Sequence, residues 1–169
     1  TGGPGTGKTT ILKAICELYK IHYKIDDNTF IKEVALLAPT GRAAKRMSNI
    51  TNYQASTIHS FLKWNKDTNL FQINEYNKNY HKLIIVDETS MIDTYLFASL
   101  LKGIGHNITL VLVGDSNQLP SVGPGLILND LIDSDMFTHT TLEQIYRQSD
   151  NSYIPILAKE IKEHDLSSE

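Results

Sequence analysis

The residues best suited to chemistry stand at the start of the chain, in Thr1-Gly2-Gly3-Pro4-Gly5-Thr6-Gly7-Lys8-Thr9-Thr10. Gly2, Gly7, Lys8 and Thr9 occupy the fixed positions of the phosphate-loop pattern G-x-x-x-x-G-K-[ST]. Glycines at these positions let successive backbone N–H groups turn inward and form an anion-binding nest. The spacing predicts a nucleoside triphosphate cradled by Gly3, Pro4, Gly5, Thr6, Gly7, Lys8, Thr9 and Thr10. Lys8 is expected to reach the β- and γ-phosphates, and the Thr9 hydroxyl to ligate Mg²⁺. The helix that follows adds the positive end of its dipole. A plain Gly/Pro surface turn is the alternative, but it does not require Lys-Thr beside a helix start.

Two later stretches complete such a site. Leu83-Ile84-Ile85-Val86 runs into Asp87-Glu88, an apolar strand ending in two carboxylates. Asp87 is expected to share the Mg²⁺ with Thr9, and Glu88 to orient and deprotonate an attacking water. A strand ending in two acids is common by chance; beside a phosphate loop it reads as the second half of an ATPase site. The stretch Gly114-Asp115-Ser116-Asn117-Gln118 follows another apolar run and places an amide, Gln118, where it can bond the γ-phosphate or the water. A Gly/Pro-rich connecting loop is the alternative there.

These groups need elements to position them. Ile11, Leu12, Ile15, Cys16, Leu18 and Tyr19 recur at helical spacing after the loop. Asp26-Asp27-Asn28 reads as a break. Val34–Ala38 reads as a buried strand ended by Pro39, followed by a helix through Thr40-Gly41-Arg42-Ala43-Ala44-Lys45-Arg46-Met47. Gln54 to Leu62 reads as a loop entering a short helix. Residues 63–81, with five asparagines and Trp64, Phe71, Tyr76 and Tyr80, read as an insertion containing half of a hairpin. A helix follows Glu88, with Gly103 as its stop. Thr109–Val113 reads as a third buried strand, Leu126–Ile132 as a helix, Thr140–Leu142 as a short strand, and Ile154, Leu157, Ala158 and Ile161 as one face of a last helix. Strands alternating with helices predict an α/β fold with a mostly parallel sheet covered on both faces. Ligands in such folds bind beyond the carboxyl ends of the strands. Thr40, Asp87-Glu88 and Asp115 all fall there.

At 169 residues the chain fits about one domain. A single cysteine, Cys16, excludes an internal disulfide and fits a reducing, cytoplasmic setting. No run is long enough to span a membrane, and no secretory signal is evident. The chain opens on the phosphate loop, where a strand ordinarily precedes it, so a fragment of a longer protein is expected. Net charge is −3, yet residues 1–82 hold 12 Lys/Arg against 6 Asp/Glu, a balance of +6, while residues 83–169 hold 4 against 13, a balance of −9. That asymmetry predicts one cationic surface.

Taken in order, Gly-Gly-Pro-Gly-Thr-Gly-Lys-Thr, Ala38-Pro39-Thr40-Gly41-Arg42-Ala43-Ala44, Thr57-Ile58-His59, Val86-Asp87-Glu88-Thr89-Ser90-Met91, Gly114 through Gly125, and Tyr146-Arg147-Gln148 resemble the first motor domain of RecD-type DNA helicases of superfamily 1B, which include the exonuclease V alpha subunit. The resemblance implies a RecA-like P-loop NTPase domain over residues 1–146, truncated at its N-terminus. It implies a pin-like insertion at 63–81 and the start of a connection to a second motor domain at 147–169. It further implies ATP-driven, 5′-to-3′ translocation on single-stranded DNA with duplex unwinding, and roles in DNA repair and recombination. Lys8, Glu88, Gln118 and Arg147 become the catalytic set, Arg147 by approaching the γ-phosphate. Thr40, Arg42, Thr57 and His59 become contacts to the DNA backbone. Implied partners are single-stranded DNA or a duplex junction, the second motor domain, and nuclease or recombination subunits, with no membrane. Two alternatives are a nucleotide-switched binding module and the motor of a larger relaxase or nuclease. On this reading the isolated chain binds nucleotide weakly and hydrolyses it poorly.

Overall fold

Two neighbouring strands with the same alternation of buried side chains set the architecture. In the computed structural model, which describes residues 1–144, β1 (Val34–Ala38) and β5 (Leu83–Val86) pair in parallel, Val34 opposite Leu83 and Leu37 opposite Val86. Successive residues of a strand face opposite sides. Val34, Leu36, Leu83 and Ile85 accordingly enter one buried cluster, and Ala35, Leu37, Ile84 and Val86 the other. Unbroken apolar runs are what a parallel sheet covered on both faces requires. β2 (Ala55–Thr57) adds on one side of β1 and β6 (Thr109–Leu112) on the far side of β5, giving an all-parallel order β2-β1-β5-β6.

One face is covered by α1 (Lys8–Tyr23), α2 (Asp27–Glu33) and α3 (Gly41–Thr51), which contribute Leu12 and Cys16, Phe30, and Met47. The other is covered by α4 (Ile58–Phe61), a hairpin of β3 (Trp64–Asn65) and β4 (Leu70–Phe71), and α5 (Thr94–Gly103), which supplies Leu96 and Leu100. α6 (Ile127–Asp133) follows the long loop after β6. Each fully buried Leu or Ile here is worth about 1.5–3 kcal/mol relative to exposure.

Several expectations need correction. Asp26-Asp27-Asn28 opens a helix: the Asp26 carboxylate accepts from the Thr29 N–H and caps α2. Ala55–Thr57, expected in a loop, is a three-residue strand, too short for its alternation to be legible. Leu18 is 62% exposed, off the buried stripe of α1. The hairpin is not peripheral at its base, because Phe71 and Ile73 are buried in the main cluster beside Ile58, Leu62 and Leu100. β6 is only half-buried, since its open side borders an apolar cavity of about 810 Å³ lined by Ile11, Ile15, Phe97, Leu110, Leu112 and Leu128. Thr140–Leu142 is reduced to a single parallel bridge, Leu142 with Gly2.

That bridge anchors the phosphate loop. The Leu142 N–H donates to the Thr1 carbonyl at 2.8 Å, the Thr1 backbone nitrogen donates to the Thr140 carbonyl at 2.6 Å, and the Gly2 N–H donates to the Gly114 carbonyl at 3.2 Å. Thr1 and Gly2 thus lie between the end of β6 and Leu142 as one more rung of the sheet. Gly2 must be glycine, because a Cβ there would sit 2.6 Å from Thr6 Oγ1 and 2.9 Å from Leu142 Cβ.

Candidate nucleotide site

The loop leaves the sheet at Gly2 and closes at Gly7, the N-cap of α1, in the left-handed region at φ 88°. Gly5 is also left-handed, at φ 82°. L side chains pay about 1–2 kcal/mol for that conformation, which explains the glycine requirement. The Thr6 hydroxyl donates to the Gly3 carbonyl at 2.9 Å and ties the loop across itself. Lys8 folds back, its ammonium donating to the carbonyls of Gly2 and Gly3 at 2.5 and 2.8 Å. The lysine therefore lies over the inside of the loop, with carbonyls in place of phosphate oxygens as acceptors.

The second part of the site is set by β5. Asp87 is buried at the end of that strand, its N–H donating to Leu37 of β1. Its carboxylate accepts from the Glu88 N–H at 2.9 Å. Burial pushes the Asp87 carboxyl above the ordinary range, while that amide and the nearby Arg46 and Lys8 pull it down. Glu88 adopts a left-handed backbone at φ 52°, uncommon for a non-glycine residue, and leads into a 3-10 turn at Thr89–Met91. One Glu88 oxygen, Oε1, lies 3.7 Å from Arg46 Nη1; the other, Oε2, is buried without a hydrogen-bond partner.

These pieces converge. Gly3 through Thr10, Arg46, Asp87, Glu88 and Gln118 line one cavity of about 280 Å³. Gln118 reaches it from the loop after β6, held by its N–H to the Asp115 carbonyl at 3.1 Å. The loop, the two acids and the amide, far apart in sequence, share one wall. The cavity also exposes a residue that sequence reasoning did not single out: Arg46, on α3, whose Nη2 stands 3.5 Å from Thr9 Oγ1. The Lys45-Arg46 pair in a basic helix was the only signal, and spacing alone does not say which basic residue turns inward.

The residues fit a divalent cation. A buried carboxylate raised by desolvation and a buried, unpartnered Glu88 oxygen are groups that a cation would compensate. Among the described residues no cluster of three or more His, Cys, Asp or Glu could hold a metal unaided. A cation there would take most of its shell from phosphates and waters.

The residues expected at DNA gather elsewhere on the same edge. Thr57 ends β2, and Thr40 lies two residues beyond the end of the neighbouring parallel strand β1, with Ala38 opposite Thr57. Both hydroxyls act as helix caps, Thr40 accepting from the Ala43 N–H at 3.2 Å and Thr57 from the Ser60 N–H at 3.1 Å. Arg42 and His59 are exposed just beyond them. The His59 ring packs edge-on to Trp64 at 6.1 Å and against Phe71 at 5.6 Å, so the hairpin supports it. Tyr76 and Tyr80 are open to solvent. Arg147 lies outside the described residues, as does the segment 147–169.

A family profile described as an AAA domain matches residues 1–124. The chain belongs to that family. Membership brings nucleotide use with it. Over 149 residues the chain is 39% identical to the ATP-dependent RecD2 DNA helicase of Deinococcus radiodurans, covering 88% of this chain and 19% of that protein. It is 36% identical to the RecBCD enzyme subunit RecD of Mycolicibacterium smegmatis, covering 79% of this chain and 27% of the relative. The chain thus spans about a fifth to a quarter of these relatives. Its fold is similar to that of a Bacteroides Pif1 whose crystal structure is bound to single-stranded DNA, with a TM-score of 0.55, 22% identity, 98% of this chain covered and 42% of that one. The RecA-like, mostly parallel architecture expected from the sequence is the one observed. No helix among the described residues is long and apolar enough to cross a membrane.

Proposed function

We propose that the chain is the nucleotide-hydrolysing part of a DNA helicase motor, coupling ATP hydrolysis to 5′-to-3′ movement on single-stranded DNA. The carrying observation is the cavity that joins the phosphate loop to Asp87, Glu88 and Gln118. On this reading Lys8 exchanges the Gly2 and Gly3 carbonyls for phosphate oxygens, and the loop amides and the α1 dipole hold the rest of the polyphosphate. Thr9 and Asp87 would hold Mg²⁺, which supplies charge neutralisation at the phosphates. Glu88, with one carboxylate oxygen already buried and unpartnered, receives the proton of the attacking water. Gln118 orients that water or the γ-phosphate from the loop after β6, and Arg147 adds charge to the transferring group.

The DNA reading rests on placement and charge. Thr40, Arg42, Thr57 and His59 occupy the outer end of two adjacent strands, in the half of the chain whose balance is +6. Contacts to backbone phosphates suit a motor, because a protein that steps along any sequence must not read bases. One relative's name, a RecBCD enzyme subunit, extends the proposal to partner subunits of a larger enzyme.

ATP hydrolysis by the full-length protein, with and without single-stranded DNA, is the test. The motor reading expects strong stimulation by DNA. Hydrolysis that ignores DNA at every salt concentration would refute it and favour a nucleotide switch.

A further inference from the structure

Arg46 is the one cationic side chain that reaches the cavity from the same helix as a residue assigned to DNA. α3 is a firm element. Thr40 caps its start, Asn52 closes its end in the left-handed region, and Met47 is fully buried beneath it. Arg42 and Arg46 are four residues apart, so they lie on one face about 6 Å apart along the axis. Arg42 is exposed in the first turn of α3. Arg46 spans two groups that hydrolysis needs, Glu88 Oε1 at 3.7 Å and Thr9 Oγ1 at 3.5 Å.

The pair has little structural purpose. The Arg46 side chain is 48% exposed, and ion pairs of that kind add little to stability. It does, however, hold the carboxylate of a residue whose backbone is already in an uncommon conformation and whose other oxygen has no partner. A guanidinium 3.5 Å from Thr9 also repels a divalent cation brought to that hydroxyl. Arg46 and a loaded metal–nucleotide therefore compete for the same ground.

We infer that Arg46 is a positioning residue that restrains Glu88 and the Thr9 hydroxyl while the DNA face is empty, and that α3 links the two sites. A ligand gripping Thr40 and Arg42 displaces α3 as a body, and Arg46 must move with it. Its departure frees the Glu88 carboxylate to take the water's proton and clears Thr9 for the cation. No bond is made or broken by Arg46 itself. This rests on the motor reading above.

The test is steady-state ATP hydrolysis by the full-length protein carrying Arg46→Ala, Arg46→Lys or Lys45→Ala. Lys45 is an exposed neighbour on the same helix outside the cavity. Arg46→Ala is expected to raise the DNA-independent kcat by up to about fivefold, the upper end of a partly screened charge contact. KM for the metal–nucleotide should fall, and the stimulation ratio should shrink by the same factor. Arg46→Lys should lie between, and Lys45→Ala should match wild type. A lower kcat with an unchanged stimulation ratio would make Arg46 a phosphate ligand and overturn the inference, and so would an unchanged basal rate. If wild type shows no DNA stimulation but Arg46→Ala still raises the basal rate, the restraint on Glu88 stands, while the link through α3 and the motor reading both fall.

Discussion

Alanine at Gly7 and at Gly3 separates backbone strain from every other effect of losing a glycine. Neither position has an atom within 4 Å of a built Cβ, so neither substitution creates a clash. Only Gly7 is left-handed, at φ 88°. Replacing glycine by alanine also removes freedom from the unfolded chain, which stabilises by about 0.4–1 kcal/mol where the native backbone tolerates it. That contribution is common to both variants and cancels between them. The remainder is the strain at Gly7 alone, about 1–2 kcal/mol. Urea denaturation of the 169-residue chain without nucleotide should therefore rank Gly3→Ala above Gly7→Ala by about that amount, with equal slopes. For a domain of this size the gap corresponds to about 2–8 °C in Tm. Gly7→Asn should recover part of the loss, since asparagine tolerates the left-handed region. Equal stabilities, or Gly3→Ala as the weaker of the two, would refute the reasoning.

Other outcomes follow from the site. Glu88→Gln in the full-length protein should keep nucleotide binding and lower turnover by about 10²–10⁴; unchanged turnover removes Glu88 from the mechanism. Asp87 has its folded carboxyl raised by burial, so the folded state takes up a proton more readily than the unfolded one. Folding is then favoured at low pH, and the benefit is lost as pH rises through the folded value. Ionised Asp87 hence costs stability at neutral pH. Asp87→Asn should raise the metal-free urea midpoint there, with the gap closing on acidification, and should abolish metal-dependent nucleotide binding. A gap that widens in acid contradicts this. Arg42→Ala should weaken binding to single-stranded DNA uniformly across sequences and reduce the salt slope by about 0.7. A change in sequence preference instead would mean Arg42 reads bases.

The sequence carried the site further than the fold. Each acid, amide and loop residue of the cavity was legible because the phosphate loop fixes type and spacing, and because apolar runs such as Leu83–Val86 end where polar residues begin. What stayed hidden was set by contacts between distant segments. Phe71 and Ile73 look like part of a polar insertion, yet they fill the core because α4 and α5 leave space for them. Leu18 fits the helical period of α1 but falls outside the arc that faces the sheet. Arg46 was one of three basic residues in a helix, and only the register of α3 against the loop turns it toward Thr9 and Glu88.

The rung formed by Thr1 and Gly2 bears on the order of events during synthesis. Its partners are Gly114, Thr140 and Leu142, and the bond from the Thr1 nitrogen spans 139 residues. Contacts of such long sequence separation form late, because closing the intervening chain costs entropy before the contact returns any. Thr1 and Gly2 are thus secured in part by a stretch that leaves the ribosome about 140 residues after them, roughly 7–28 s behind at ordinary elongation rates. Until then the loop is held to the sheet on one side alone, through the Gly114 carbonyl. Nucleotide binding is consequently a sign that everything from Thr1 to Leu142 has been made and has closed. A chain stalled short of Leu142 would hold its glycine-rich loop by the Gly114 bond without the Thr140 and Leu142 partners, whatever the state of α1 and the central strands.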